Sequence, residues 1–229
     1  MRREREIVRW VARLGAVSAG LIGRRFGVGR TVSYELVRRL VAGGLLERTP
    51  TLAGDSTLIS ATASGIAYAG LGLQPPTIRI GEVDHWLACA DVAIELERRL
   101  GAESVLTDRE VRFEERLTGR SIASAKLGET RNGYWRLHYP DLAVVEDERT
   151  TAYEVELTPK SQRRLETILR AWRRARHVQN CVYLCPPGAV QEAVWRAIKR
   201  VHAEERVRVF DLERRVAETA EIVAKRGFG

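Results

Sequence analysis

Ile7, Val8, Val11 and Leu14 recur at spacings of three and four, the period of a helix with one buried face, and Gly15 stops the pattern. Ser18 is placed to cap a second, short helix carrying Leu21, Ile22 and Phe26. After the Gly27-Val28-Gly29 turn a third helix opens at Arg30 or Thr31, with Val32, Leu36, Val37 and Leu40 expected on one apolar face and Gly43-Gly44 at its end. LLERTP and STLISAT predict two short strands around a polar tip at Ala53-Gly54-Asp55, a hairpin pattern, and Thr62-Ala63-Ser64-Gly65 leads into one more short helix. Gly70, Gly72 and the pair Pro75-Pro76 then forbid regular helix. This punctuation divides the chain into residues 1–74 and 82–229.

Helix, short helix, glycine turn, longer helix and hairpin is the order of a winged helix-turn-helix. In that arrangement the third helix packs its back on the other two and offers polar side chains to a major groove. The solvent-facing set is expected to be Arg30, Thr31, Ser33, Tyr34 and Arg38, with Arg48 and the hairpin tip over an adjacent groove or backbone.

The second segment alternates differently. Asp84 to Leu100 is an amphipathic helix, and VLTDREVRF is expected to be a strand. A polar, glycine-bearing insertion follows from Leu117 to Arg136. PDLAVVE and AYEVELT are apolar strands joined by the charged turn Asp147-Glu148-Arg149. A basic helix from Ser161 to His177, the strand CVYLC, a helix from Gly188 to His202, the strand RVRVFDL and a last charged helix complete the chain. The order predicts an α/β arrangement, α+β over the whole chain, with a mixed sheet flanked by helices behind the winged helix.

Charge sharpens this picture. The 229 residues carry a net charge of +8, and residues 1–80 hold 12 Arg against 5 acids while the remainder is nearly balanced, with 26 basic and 25 acidic groups. That asymmetry points to a polyanion at the N-terminal end, and double-stranded DNA is the expected partner. The charged opening MRREREIVRW and the lack of any run approaching a membrane span predict a soluble, cytoplasmic protein with no membrane partner. Cys89, Cys181 and Cys185 make neither a disulfide framework nor a four-ligand zinc site, and Cys181 and Cys185 are expected to be inert core residues.

Candidate chemistry lies on the two consecutive strands. Asp141 follows Pro140 at the start of one, and Glu154 and Glu156 lie two apart on the next, on one face, with Tyr153, Val155 and Leu157 turned the other way toward a helix. Acids on an otherwise apolar strand are costly unless hydrated, paired or metal-bound. Converging carboxylates of this kind would suit Mg²⁺ or Mn²⁺. Lys160 lies just beyond the strand, and Arg163 and Arg164 open a helix basic enough to track a phosphate backbone. The bland alternative is that Glu154 and Glu156 are paired with arginines of that helix. His138 is expected to be a strand-edge residue rather than a ligand.

The PD dipeptide, spacer and Glu-x-Glu, within an αβββαβ order over about residues 84 to 186, resemble the PD-(D/E)xK restriction-endonuclease-like fold. The resemblance implies that Asp141 and Glu154 hold a divalent metal, with an acid of the preceding helix joining them, Glu95 or alternatively Asp91. It also implies a catalytic part for Glu156, which stands where the family usually has Lys, shared with the displaced Lys160. The whole chain, a winged helix followed by HYPDLAVV and AYEVELTPKSQRRLETILRAW, is similar to the replication-relaxation family of actinobacterial plasmids and integrative elements. That likeness implies action in the replication, transfer or control of a mobile element. Two readings stand open: a DNA-binding protein with a metal-dependent nuclease-like domain, or a non-catalytic winged-helix regulator whose second domain serves homodimerisation or contact with replication or conjugation proteins.

Overall fold

A computed structural model describes residues 2–51, 57–147 and 149–212. Two compact units divide the chain, Met1–Ile94 and Glu95–Gly229. Pro75 and Pro76 lie upstream of that division in a stretch, 71–79, without helix or strand.

The first unit runs α1 (Arg2–Leu14), β1 (Ala16–Val17), α2 (Ala19–Phe26), α3 (Arg30–Ala42), β2 (Leu46–Pro50), β3 (Thr57–Ala61) and α4 (Ala63–Tyr68), with β1, β3 and β2 paired antiparallel in that order. This is the winged helix-turn-helix order. Ser18 caps α2 by accepting the Leu21 N–H at 3.2 Å, and Gly27 ends it in the left-handed conformation at φ 62°. Thr62 caps α4 by accepting the Gly65 N–H at 3.0 Å. Gly65 itself is obligatory, since a Cβ there would lie 2.0 Å from the Leu45 carbonyl oxygen. Ile7, Val8, Val11, Ile22, Val37, Leu40 and Ile59 form the core, joined by Ala90 and Ile94 of a long helix, α5 (Val83–Leu100), within which the division of the units falls. The hairpin tip at Ala53-Gly54-Asp55 lies outside the described residues.

One expectation for α3 is corrected. Its buried stripe is Ser33, Val37 and Leu40, while Val32 is 49% exposed, so the helix is rotated by one position from the apolar face read in the sequence. The cause is the close approach of α2 and α3 at Gly23, where a Cβ would lie 3.4 Å from Ser33 Oγ and only a small side chain fits opposite. Ser33 is accommodated because its hydroxyl donates to the Arg30 carbonyl at 2.8 Å.

The second unit continues with β4 (Val105–Thr107), α6 (Asp108–Thr118), β5 (Ala125–Glu129), β6 (Trp135–His138), β7 (Leu142–Glu146), β8 (Arg149–Val155), α7 (Gln162–Arg174), β9 (Asn180–Cys185), α8 (Ala189–Val201) and β10 (Val207–Asp211). A five-stranded sheet is ordered β10-β9-β8-β7-β4. Strands β4, β7 and β8 are antiparallel neighbours; β8, β9 and β10 are parallel, as their helical crossovers require. Leu165, Leu169 and Trp172 of α7 and Val194 and Ile198 of α8 pack with Ala152, Cys181 and Tyr183 on one face of this sheet.

Two elements differ from expectation. VLTDREVRF is strand only to Thr107 and then helix, because Thr107 and Glu110 form a reciprocal capping box at the start of α6. The polar insertion from Leu117 to Arg136 holds most of a β5–β6 hairpin; its strands are exposed or half-buried except at Ala125 and so lack an apolar alternation. The loop leading into it is fixed by Glu115, whose Oε1 accepts the N–H groups of Ile122, Ala123 and Ser124 at 2.7–2.9 Å. Glu148 and the last charged helix expected beyond residue 212 lie outside the described residues.

Candidate functional sites

On the first unit, Arg30, Thr31, Tyr34 and Arg38 of α3 are exposed, as is Arg48 of β2. Arg30 lies over the Tyr34 ring at 5.7 Å. Neither Arg38 nor Arg48 makes an ion pair with a described residue. A cleft of about 720 Å³ is lined by Arg24, Arg30, Tyr34 and Arg48, together with Gly20 and Gly23. Arg24 is paired with Asp91. Ser33, expected among the outward residues, is buried beneath this surface.

The second unit brings Asp141, Glu154 and Glu156 to one end of the β7–β8 pair. The register Leu142↔Tyr153 sets Asp141 level with Glu154 one step beyond it. Asp141 Oδ2 accepts the Val155 N–H at 2.7 Å and so closes the end of the ladder. Glu154 is 4% exposed. Contrary to the expected orientation, its side chain lies on the face that α7 covers; Oε1 accepts from Trp172 Nε1 at 3.2 Å and from His138 Nε2 at 2.6 Å. A carboxylate can be buried there because both donors are delivered to the same oxygen. Glu156, just past β8, is equally buried and paired with Lys160 four residues on. Glu95 is held by Arg98 at 2.7 Å and by Arg99, contacts that pull its carboxyl below the ordinary value, Arg98 most. Arg163 and Arg164 are exposed on the first turn of α7 and pair with no described residue.

The donors have the hard oxygen chemistry that a divalent cation takes, but the arrangement does not fit a shared ion. Asp141, Glu154 and Glu95 do not come together as one group of described side chains with ligand atoms within 4.8 Å of one another, and each has a protein donor on it. Around them the sheet is buried. Burial, with the charges of Glu154 and Asp141 adding, pushes the Tyr183 hydroxyl and the Cys181 thiol well up, and burial pushes the Cys185 thiol to about 12. These thiols are inert at neutral pH.

His138 and Trp172 are the two residues of this site that sequence reasoning did not assign to it. The signal for His138 was its place three residues before Asp141. Trp172 offered none, because its periodicity is that of any core residue.

No protein-family model matches the chain, and no curated protein matches it. Among solved structures it is similar to a MarR mutant from E. coli complexed with operator DNA, at 20% identity over 51% of this chain and 71% of that one, with a TM-score of 0.28. It is similar also to the adhesin competence repressor AdcR from Streptococcus pyogenes, at 11% identity over 52% and 77% of the two chains, again with a TM-score of 0.28. The winged-helix assignment of the first unit rests on its own element order, strand pairing and buried stripes. No described helix is long and apolar enough to cross a membrane.

Proposed function

We propose that this chain binds double-stranded DNA through α3 and the β2–β3 hairpin and acts as a regulator that does not cut it. The observation that carries this is the exposed set Arg30, Thr31, Tyr34, Arg38 and Arg48, in which Arg38 and Arg48 pair with no described residue. Guanidinium groups left unneutralised on a winged helix are suited to phosphate, and Thr31 and Tyr34 between them can reach base edges. Arg163 and Arg164 extend the same chemistry to the second unit. Control of replication or transfer on a mobile element, with a second copy or replication and conjugation proteins as partners, is the setting that the sequence resemblance supports. Fluorescence anisotropy with a labelled duplex tests the binding: affinity should fall steeply and linearly on a log–log scale as salt rises. A salt-independent affinity would overturn it.

A second reading, metal-dependent cleavage at Asp141 and Glu154, is favoured by one observation, the β4, β7 and β8 strands followed by α7 and β9 in one sheet, with both acids level at the end of β7–β8. An ion there would have to displace the donors now on those carboxylates, so no chemical step is derived. Incubating supercoiled DNA with Mg²⁺ or Mn²⁺ decides: nicking that Asp141→Ala abolishes would replace the non-cutting reading.

A further inference from the structure

The β5–β6 hairpin puts two consecutive aromatic residues into solvent: Tyr134 is 75% exposed and Trp135 48%. All residues from 131 to 136 are exposed. Such a stretch would be unremarkable on a loose loop, but this one is built. Thr130 and Tyr134 close the turn with two bonds, Thr130 N–H to the Tyr134 carbonyl at 2.7 Å and Tyr134 N–H to Thr130 Oγ1 at 3.1 Å. Gly133 supplies the positive φ, 79°, that the turn needs. The base is rooted by Arg174 on the Lys126 carbonyl, His177 on the Ser124 carbonyl and His138 on Glu154. Ala125 is buried in the α7–α8 core and Leu127 packs against it.

The same hairpin carries Lys126, Arg131 and Arg136, with Glu129 the one acid between Ala125 and His138. Lys126 Nζ lies 4.6 Å from the Trp135 ring centroid, a cation–π contact across the hairpin. The side chains of Arg131 and Arg136 make no hydrogen bond or ion pair with a described residue. Rigid exposed aromatics flanked by unpaired cations match a strand that offers both a base face and a phosphate. In a duplex the base faces are covered by their neighbours, so the rings can be used only by an unpaired stretch.

We infer that the β5–β6 hairpin is a binding arm for single-stranded DNA, with Tyr134 and Trp135 stacking on successive bases and Arg131, Arg136 and Lys126 on the phosphates. The choice of DNA over RNA rests on the duplex-binding reading above; the arm itself does not depend on α3.

The test uses the full chain and labelled 15-mers: single-stranded DNA, single-stranded RNA of the same sequence, and duplex. Tyr134→Ala with Trp135→Ala should weaken single-strand binding by roughly tenfold or more and leave duplex binding unchanged. Arg131→Glu with Arg136→Glu approaches the same surface without touching the rings and should weaken it similarly. Arg30→Ala with Arg38→Ala should show the reverse pattern. Single-strand affinity that survives both hairpin variants overturns the arm, and RNA bound as tightly with the same dependence overturns the choice of DNA. Loss of duplex binding by the wild type with single-strand binding intact would sink the α3 reading and leave the arm standing.

Discussion

On α3 of the first unit Arg38 stands in solvent with no ion pair to a described residue, whereas in the second unit Glu154 is 4% exposed and one of its oxygens receives both His138 and Trp172. The contrast extends to neighbours. Arg30 and Arg48 are likewise outward, while Glu156 is buried against Lys160 and Asp141 closes a strand ladder. Charge that the fold leaves uncommitted is available to a partner at little structural cost. Charge that the fold has tied down has become part of its stability, and recruiting it for chemistry means undoing those bonds first.

The contrast can be broken most sharply at the arginines. Arg30→Ala, Arg38→Ala and Arg48→Ala together should lower duplex affinity on the order of a hundredfold or more and reduce the salt slope. The melting temperature should hardly move; a clear fall would show these residues to be structural. Glu154→Ala should do the opposite, leaving duplex affinity intact and costing about 2–4 kcal/mol by stranding the His138 and Trp172 donors. Thermal unfolding would register that as a fall of about 5–15 °C. Glu115→Ala removes the acceptor for three backbone N–H groups and should cost about 1–3 kcal/mol, with faster amide exchange at Ile122, Ala123 and Ser124.

The smallest effect concerns pH. The Glu95 carboxyl is lowered by Arg98 first and by Arg99, so its stabilising contribution is complete above the ordinary value of 4.5 and is lost as pH falls through the lowered value. Glu95→Gln should therefore reduce the melting temperature by about 1–2 °C at pH 7 and by nothing measurable once the pH is below the lowered value.

Helix period, caps and glycine turns in the sequence were enough to lay out the winged helix, because each of its elements is short, punctuated and half-buried. The apolar strands β7 and β9 were legible for the same reason, whereas β8 begins at Arg149, which the sequence reading placed in the turn, and ends at Val155 rather than running through Thr158. What escaped was decided by contacts between elements. The rotation of α3 that buries Ser33 depends on Gly23 of α2, and the α7 cover over Glu154 depends on Trp172. Helix α6 could have been read from its Thr107–Glu110 capping box, but the alternation in VLTDREVRF competed with it. The β5–β6 hairpin had no apolar signature at all. Of the candidate site, Asp141 level with Glu154 was legible from strand spacing and the turn between them, while the donors on those carboxylates come from residues up to 18 positions away in sequence.

The buried cysteines of β9 give the molecule its own unfolding clock. Cys181 and Cys185 are 1% and 0% exposed and lie on a strand flanked by β8 on one side and β10 on the other. An alkylating reagent added to the native protein should label the partly exposed Cys89 at once and then wait. The slow second and third additions would count how often the five-stranded sheet opens, with no engineered reporter needed.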